Sequence, residues 1–181
     1  MNLAGTAWVL GDNVSTDEIV PGRYLGVDDP AELARQAFEG AAPGLVDRIA
    51  QGDILVGGAN FGTGSSREQA PRAIRAAGFG AIVAASFARI FFRNCVNVGL
   101  PVFWSPEAAA DVAEGDRVEI NPEAGQIVNV TQGAVHRAAP LPPFVREIVA
   151  SGGLSAYASQ RLGGSLVPAG EVPSGEGGRA S

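Results

Sequence analysis

Over its first hundred residues the chain carries its apolar positions in short unbroken runs separated by polar, glycine-rich stretches. Later they alternate with polar positions. The first run, Thr6 to Leu10, predicts a strand that stops at the turn signal Gly11-Asp12-Asn13. A polar loop follows from Val14 to Gly26. Pro30 to Phe38 reads as a short helix with Pro in its first turn and Asp28 or Asp29 placed to cap it. Gly40 to Gly52 is irregular, with a single turn around Leu45 to Ile49. Asp53 to Val56 is a short buried strand leading into the loop Gly57 to Gly64. Ser66 to Ala77 then reads as a helix with Ala70, Ile74 and Ala77 on one face, closed by Gly78. Ala81 to Ala85 is a strand, Ser86 to Val98 a helix, and Pro101 to Trp104 a strand. Strand–helix–strand–helix–strand predicts a parallel sheet with right-handed crossovers.

Beyond Trp104 the period shortens to two. Arg117 to Ile120 and Gln126 to Val130, joined by Asn121-Pro122-Glu123-Ala124-Gly125, form a hairpin signal. Pro143 to Ser151 is a last helix, ended by Gly152-Gly153. From about Gly163 the chain is rich in Gly, Ser, Pro and Ala, so residues 163–181 read as a disordered, solvated tail and residues 1–162 as one domain. The predicted class is α/β, a parallel β/α core with an added antiparallel β-hairpin.

Composition narrows the chemistry. The chain has 181 residues, 46% hydrophobic and 18% charged, with a formal net charge of −6. That balance argues against a nucleic-acid partner, which calls for a basic surface. All 13 basic residues are Arg, so Schiff-base, P-loop and catalytic lysines are excluded. Cys95 is the one cysteine and His136 the one histidine, too few for an internal disulfide, a self-contained zinc site or a four-iron cluster. Neither a signal peptide nor an apolar run of roughly 18 residues is present, so the expectation is a cytoplasmic chain with no membrane partner.

The densest local signal is Gly57-Gly58-Ala59-Asn60-Phe61-Gly62-Thr63-Gly64-Ser65-Ser66-Arg67-Glu68. Between a buried strand and a helix, its glycines let backbone approach a ligand, and Ser65 with Glu68 has capping-box spacing. The start of a helix favours an anion. The same Ser-x-x-Glu also suits a plain helix cap. No Lys completes a P-loop, and no acidic residue follows at the distance a dinucleotide fold requires. No G-x-S-x-G elbow or locally placed His makes a hydrolase pair. A serine hydroxyl here, with Arg67 beside it, could take a proton from carbon if a metal held elsewhere activated the substrate.

Several segments in order resemble the small subunits of the aconitase superfamily, of the isopropylmalate dehydratase and homoaconitase kinds. They are Gly11-Asp12-Asn13-Val14-Ser15-Thr16-Asp17-Glu18-Ile19, Gly22-Arg23-Tyr24-Leu25, Asn60 to Glu68, Ser86-Phe87-Ala88-Arg89-Ile90-Phe91-Phe92-Arg93-Asn94 and Asn97-Val98-Gly99-Leu100-Pro101. The resemblance covers residues 6 to 160. It implies an aconitase-type swivel domain that closes over a [4Fe–4S] cluster held by three cysteines of a separate large subunit, with no metal ligand in this chain and iron acting there as a Lewis acid. It implies a hydro-lyase subunit, inactive alone, with a small diacid or triacid substrate. Cys95 would then be a small buried apolar residue.

By the same resemblance, Ser65 is the base that removes a proton from the carbon next to a carboxylate. Arg67 pairs with a substrate carboxylate, and Asp17 orients a histidine of the large subunit. Arg23 borders the substrate pocket, and Ser66, Asn60, Gly62 and Gly64 belong to the oxyanion and substrate loop. Arg89 and Arg93, four apart, suit a subunit interface or an internal ion pair. Many relatives have His at Gln69 and Cys at Thr63, which leaves the proposed base and its arginine untouched. Tyr24-Leu25-Gly26-Val27 resembles the segment over the substrate's variable group; its lack of charge favours an apolar group such as isopropyl. The substrates implied are 2- and 3-isopropylmalate, with homocitrate or another methylated malate, or a non-catalytic binding module of the same fold, as the alternatives.

Overall fold

A single sheet joins the two strand patterns. The computed structural model describes residues 2–162, so the expected tail at 163–181 lies outside the described residues. The strands are β1 (Leu3–Val9), β2 (Ile54–Gly57), β3 (Ala81–Ala84), β4 (Val102–Trp104), β5 (Arg117–Asn121), β6 (Gln126–Asn129) and β7 (Ala134–Arg137). The order across the sheet is β4-β3-β2-β1-β5-β6-β7. β4 to β1 run parallel, and β5 to β7 are antiparallel additions on the far side of β1. Every residue of β2 and β3 is buried, as expected of parallel strands covered on both faces. β5 alternates exposed and buried positions as its sequence does.

β1 belongs to both halves. Ala7, Trp8 and Val9 pair in parallel with Ile54, Leu55 and Val56, whereas Leu3 to Thr6 pair antiparallel with Ile120 to Arg117. The strand thus starts three residues before the sequence expectation. Buried Asp53 ties this junction: Oδ1 accepts from the Thr6 amide at 2.9 Å, and Oδ2 accepts from Trp8 Nε1 at 2.8 Å and the Ala50 amide at 2.9 Å.

The helices are α1 (Thr16–Ile19), α2 (Pro30–Arg35), α3 (Gln69–Ala76), α4 (Arg89–Asn97), α5 (Pro106–Asp111), α6 (Pro143–Ala150) and α7 (Leu154–Leu162). One core, with Ile19, Leu33, Phe61, Ile74, Phe91 and Cys95, lies beneath α1 to α4; the other, with Ile54, Val83, Phe103, Val118 and Ile127, lies on the opposite face under α5 and α6. Asp29 caps α2 by accepting from the Ala31 and Glu32 amides. Gly152 and Gly153, both at positive φ, close α6.

Two local expectations are corrected. α3 begins at Gln69, not Ser66, and Ser65 with Glu68 makes no capping box: Glu68 is the N-cap residue and its side chain caps nothing. Pro71 explains the late start. From a helix begun at Ser66 its ring would strike the Arg67 carbonyl and break the ladder, whereas as third residue of α3 it lacks only an N–H that has no helical partner anyway. The box forms instead at Ser15 and Glu18, where the Ser15 hydroxyl accepts from the Glu18 amide at 3.2 Å and the Glu18 carboxylate accepts from the Ser15 amide at 2.7 Å. That backbone bond holds the Glu18 carboxyl below its usual range. The polar stretch 14–26 therefore contains a short helix and a 3-10 turn at Gly22–Tyr24.

Candidate active site

Parallel strands bring the ends of β1, β2 and β3 to one edge of the sheet, where α/β folds place ligands. The loop after β2 is strung between the other two. On one side the Asn13 amide donates to Ala59 at 2.8 Å, the Gly62 amide to Val14 at 2.8 Å and the Thr16 amide to Thr63 at 2.8 Å. On the other, Asn60 donates its amide to the Ser86 hydroxyl at 2.7 Å, and Phe61 donates to the Ser86 carbonyl at 2.9 Å. Short parallel bridges, Ser15 with Thr63 and Phe61 with Phe87, give the loop the character of a frayed central strand.

The glycines serve this internal packing. Gly62 has φ +77°, and a Cβ there would run into the Phe91 ring. At Gly58 a side chain would strike Asp12, whose carboxylate accepts from the Ala59 amide at 2.7 Å. The close approaches read in the sequence as room for a ligand are, at these two positions, made by the chain's own residues. Asn60, at φ 56°, donates its side-chain amide to Asn13 Oδ1 at 3.1 Å and so helps hold the loop.

Past Thr63 the loop turns outward. Gly64, Ser65 and Ser66 are exposed. Neither serine hydroxyl has a hydrogen-bond partner, and the amides of Ser65, Ser66 and Arg67 donate to no acceptor, among the described residues. Unpaired N–H groups on consecutive residues favour an anion. They take the place of the helix start that the sequence suggested.

Thr16, only 1% exposed, fixes where the turn outward begins. Besides its amide bond to Thr63, its hydroxyl donates to the Ser65 carbonyl at 3.2 Å. Its neighbour Asp17 is exposed and forms an ion pair with Arg67, whose side chain is 17% exposed. Gly22 lies close to the same guanidinium, 3.7 Å from where its Cβ would be. Ser65, Ser66, Arg67 and Asp17 thus come together. Arg23 does not join them: it pairs with Glu39 and lies over the Tyr24 ring, 4.7 Å from its centroid. The segment Tyr24-Leu25-Gly26-Val27 leans on α3, where Gln69 donates to the Leu25 carbonyl at 3.2 Å and Arg72 to the Asp28 carbonyl at 3.1 Å. Tyr24 and Val27 pack on the core, while Leu25 and Gly26 are exposed.

Of the residues that shape the site, Thr16 is not singled out by the sequence; its signal was Ser15-Thr16-Asp17-Glu18, which repeats the Ser-x-x-Glu spacing at Ser65. Glu39, which holds Arg23 away from that group of side chains, had no signal, because it reaches Arg23 across 16 residues of chain.

A cavity of about 360 Å³ lies at the opposite edge, between Leu3, Pro101, Leu141, Pro143 and Val149. Of its charged residues, Arg146 and Glu123 satisfy each other at 3.0 Å and Glu147 pairs with Arg161 at 2.8 Å, and none of its lining belongs to the serine loop.

A parallel core flanked by an antiparallel extension, with a serine–arginine loop at its carboxyl edge, defines a domain of the aconitase C-terminal class; that family, described as Aconitase C-terminal domain, matches residues 39–106. Similarity extends much further along the chain. A 3-isopropylmalate dehydratase small subunit from Moorella thermoacetica is 51% identical over 162 residues, covering 90% of this chain and 98% of the relative. Another, from Methanosarcina acetivorans, is 47% identical over 156 residues, covering 86% and 96%. The crystal structure of 3-isopropylmalate dehydratase from Methanocaldococcus jannaschii superposes with a TM-score of 0.84 at 41% identity, covering 90% of this chain and 96% of that one. The chain belongs to the family of 3-isopropylmalate dehydratase small subunits.

Membership implies an iron–sulfur hydro-lyase with a second, larger subunit. The described residues do not themselves fit a cluster. No three His, Cys, Asp or Glu side chains gather among them where a metal could be held. Cys95 is fully buried in the core, with its thiol pushed well up by desolvation, and His136 contacts Asp111 at 2.9 Å on the antiparallel side of the sheet. No helix among the described residues is long and apolar enough to cross a membrane.

Proposed function

We propose that this chain is the small subunit of a two-subunit hydro-lyase that interconverts 2- and 3-isopropylmalate by dehydration and rehydration, in the manner of leucine biosynthesis. The names of the relatives support the reaction. The division of labour rests on chemistry: with no ligand set among the described residues and one cysteine in the chain, the iron–sulfur cluster belongs to the large subunit. When bound there, the cluster would supply a Lewis acid for the departing hydroxyl oxygen.

This chain contributes proton transfer and carboxylate binding. Ser65 takes the proton from the carbon next to a carboxylate and returns it in the reverse step. Its hydroxyl is exposed and uncommitted among the described residues, and the unpaired amides beside it, with Arg67, favour the alkoxide form that accepts the proton and becomes a neutral hydroxyl. Arg67 binds a substrate carboxylate. It already presents its guanidinium to the carboxylate of Asp17, and substrate competes for those donors. When the large subunit engages Asp17 through a histidine, Arg67 is released to the substrate. Ser66, Gly62 and Gly64 shape the loop under the developing oxyanion. Tyr24 to Val27, which carry no charge, lie over the apolar branch of the substrate. Arg23, held by Glu39, borders the pocket.

The observation that carries this reading is an uncommitted, exposed Ser65 two residues from a mostly buried Arg67 that is already bound to a carboxylate. The test is co-expression with the large-subunit gene and assay on 2-isopropylmalate against homocitrate. Turnover of 2-isopropylmalate with little on homocitrate is expected; preference for homocitrate would overturn the substrate assignment.

A further inference from the structure

α4 returns the chain from the end of β3 to the start of β4, so its first turn lies at the same sheet edge as the serine loop. Phe87, whose backbone bridges to Phe61 of that loop, packs edge-on against Phe92 with ring centroids 6.0 Å apart. Phe91 and Cys95 turn inward, leaving Ile90 50% and Phe92 36% exposed. Trp104, at the carboxyl end of β4, pairs with Ala84 and is 63% exposed; strand alternation puts it on the face of Val102, which α4 covers. Three large apolar side chains are therefore exposed toward the sheet edge that carries the serine loop.

The charges beside them are basic. Arg89 and Arg93 are exposed and have no ion-pair or hydrogen-bond partner among the described residues, in a chain of net charge −6. Arg89 also opens a helix, where the backbone dipole disfavours a cation. Neither the fold nor the neighbouring side chains compensate this placement. An outside carboxylate would.

We propose that the first turns of α4, with Trp104, form the docking surface for the large subunit: Ile90, Phe92 and Trp104 enter an apolar depression on that partner, and Arg89 and Arg93 meet carboxylates at its rim. This rests on the two-subunit reading above and adds where the partner attaches. Continuity with the serine loop, which the partner must cover, selects this occupant over a second copy of the chain. Apolar anchors ringed by charge are the usual anatomy of such a contact.

The test measures the Kd of the purified chain for its purified large subunit. Arg89→Glu with Arg93→Glu is expected to weaken binding at least tenfold, mostly through slower association, and to flatten its salt dependence. Ile90→Ser with Phe92→Ser is expected to weaken it at least tenfold, mostly through faster dissociation. Arg93→Ala alone, the mildest change, serves if a pair fails to fold, and is expected to cost about threefold. Unchanged melting temperatures of the isolated variants would show that the surface and not the fold was altered. Affinities within twofold of wild type for every folded variant would overturn the surface assignment while leaving the two-subunit reading intact. If wild type itself fails to bind the large subunit, both fall. Loss of self-association without loss of partner binding would also overturn it, assigning the face to a second copy.

Discussion

Arg67 and Asp17 are 50 residues apart in the chain yet bonded in the fold, and each satisfies the other. The sequence offered both as site residues through family resemblance but not their mutual contact, because pairing across two loops follows from the sheet order. Arg67→Lys replaces a two-pronged donor by a point charge, so KM in the assembled enzyme should rise at least tenfold with a smaller change in kcat; an unchanged KM would count against carboxylate binding. Thr16 acts through Ser65, as a positioning residue. Thr16→Val removes the hydroxyl that holds the Ser65 carbonyl and should lower kcat more than it raises KM, whereas Thr16→Ser restores kcat. Equal loss in both variants would assign Thr16 to packing alone. Cys95 belongs to the core, and burial that raises its thiol should leave it unreactive toward a thiol reagent until the protein is unfolded; rapid labelling of the native chain would show a different environment.

Among the elements, the buried runs were legible because strand β2 and strand β3 are apolar on both faces, a pattern with few alternatives at that length. Helix α3 was placed three residues early because the serine signal outweighed Pro71, whose steric demand sets the true start. Strand β7 escaped notice: Ala134-Val135-His136-Arg137 is short and half-exposed, and it pairs at the sheet margin where burial imposes little pattern. Helix α5 carried its own signals, Ser105 as cap and Pro106 at the first position, but its alanines give only a weak apolar stripe. The loop that carries Ser65 depends on Gly62. Gly62→Ala demands a left-handed backbone for a residue with a Cβ and drives that Cβ into Phe91, so stability should fall by about 1–3 kcal/mol. Denaturant unfolding measures this, and a change under 0.5 kcal/mol would mean the loop is slack.

For the whole molecule, the antiparallel extension contributes its own polar joint. Buried Asn129 donates to Asp116 at 2.8 Å and to Asp111 at 3.2 Å. The Ala113 amide and then Asn129 hold the Asp116 carboxyl below its usual range; contact with His136 and then Asn129 does the same for Asp111. Depressed carboxyl pKa values stabilise the fold above the unfolded-chain value and cease to do so as pH falls through the folded ones. The melting temperature should therefore drop as pH falls below about 4, and Asp116→Asn should flatten that drop, as thermal melts between pH 5 and 2.5 can establish. The architecture as a whole was legible, a parallel core with an antiparallel addition, because the apolar period changes once along the chain. That β1 serves both halves was not, since its first three residues alternate too weakly to announce a strand.

The central claim concerns the hydroxyl at Ser65. The most direct measurement is the rate of substrate dehydration by the assembled two-subunit enzyme carrying Ser65→Ala, with assembly checked by co-purification. The account predicts an intact complex whose rate falls by about 10²–10⁴, the contribution of a positioned proton-transfer group. An intact complex dehydrating substrate at a rate within a few-fold of wild type would contradict it.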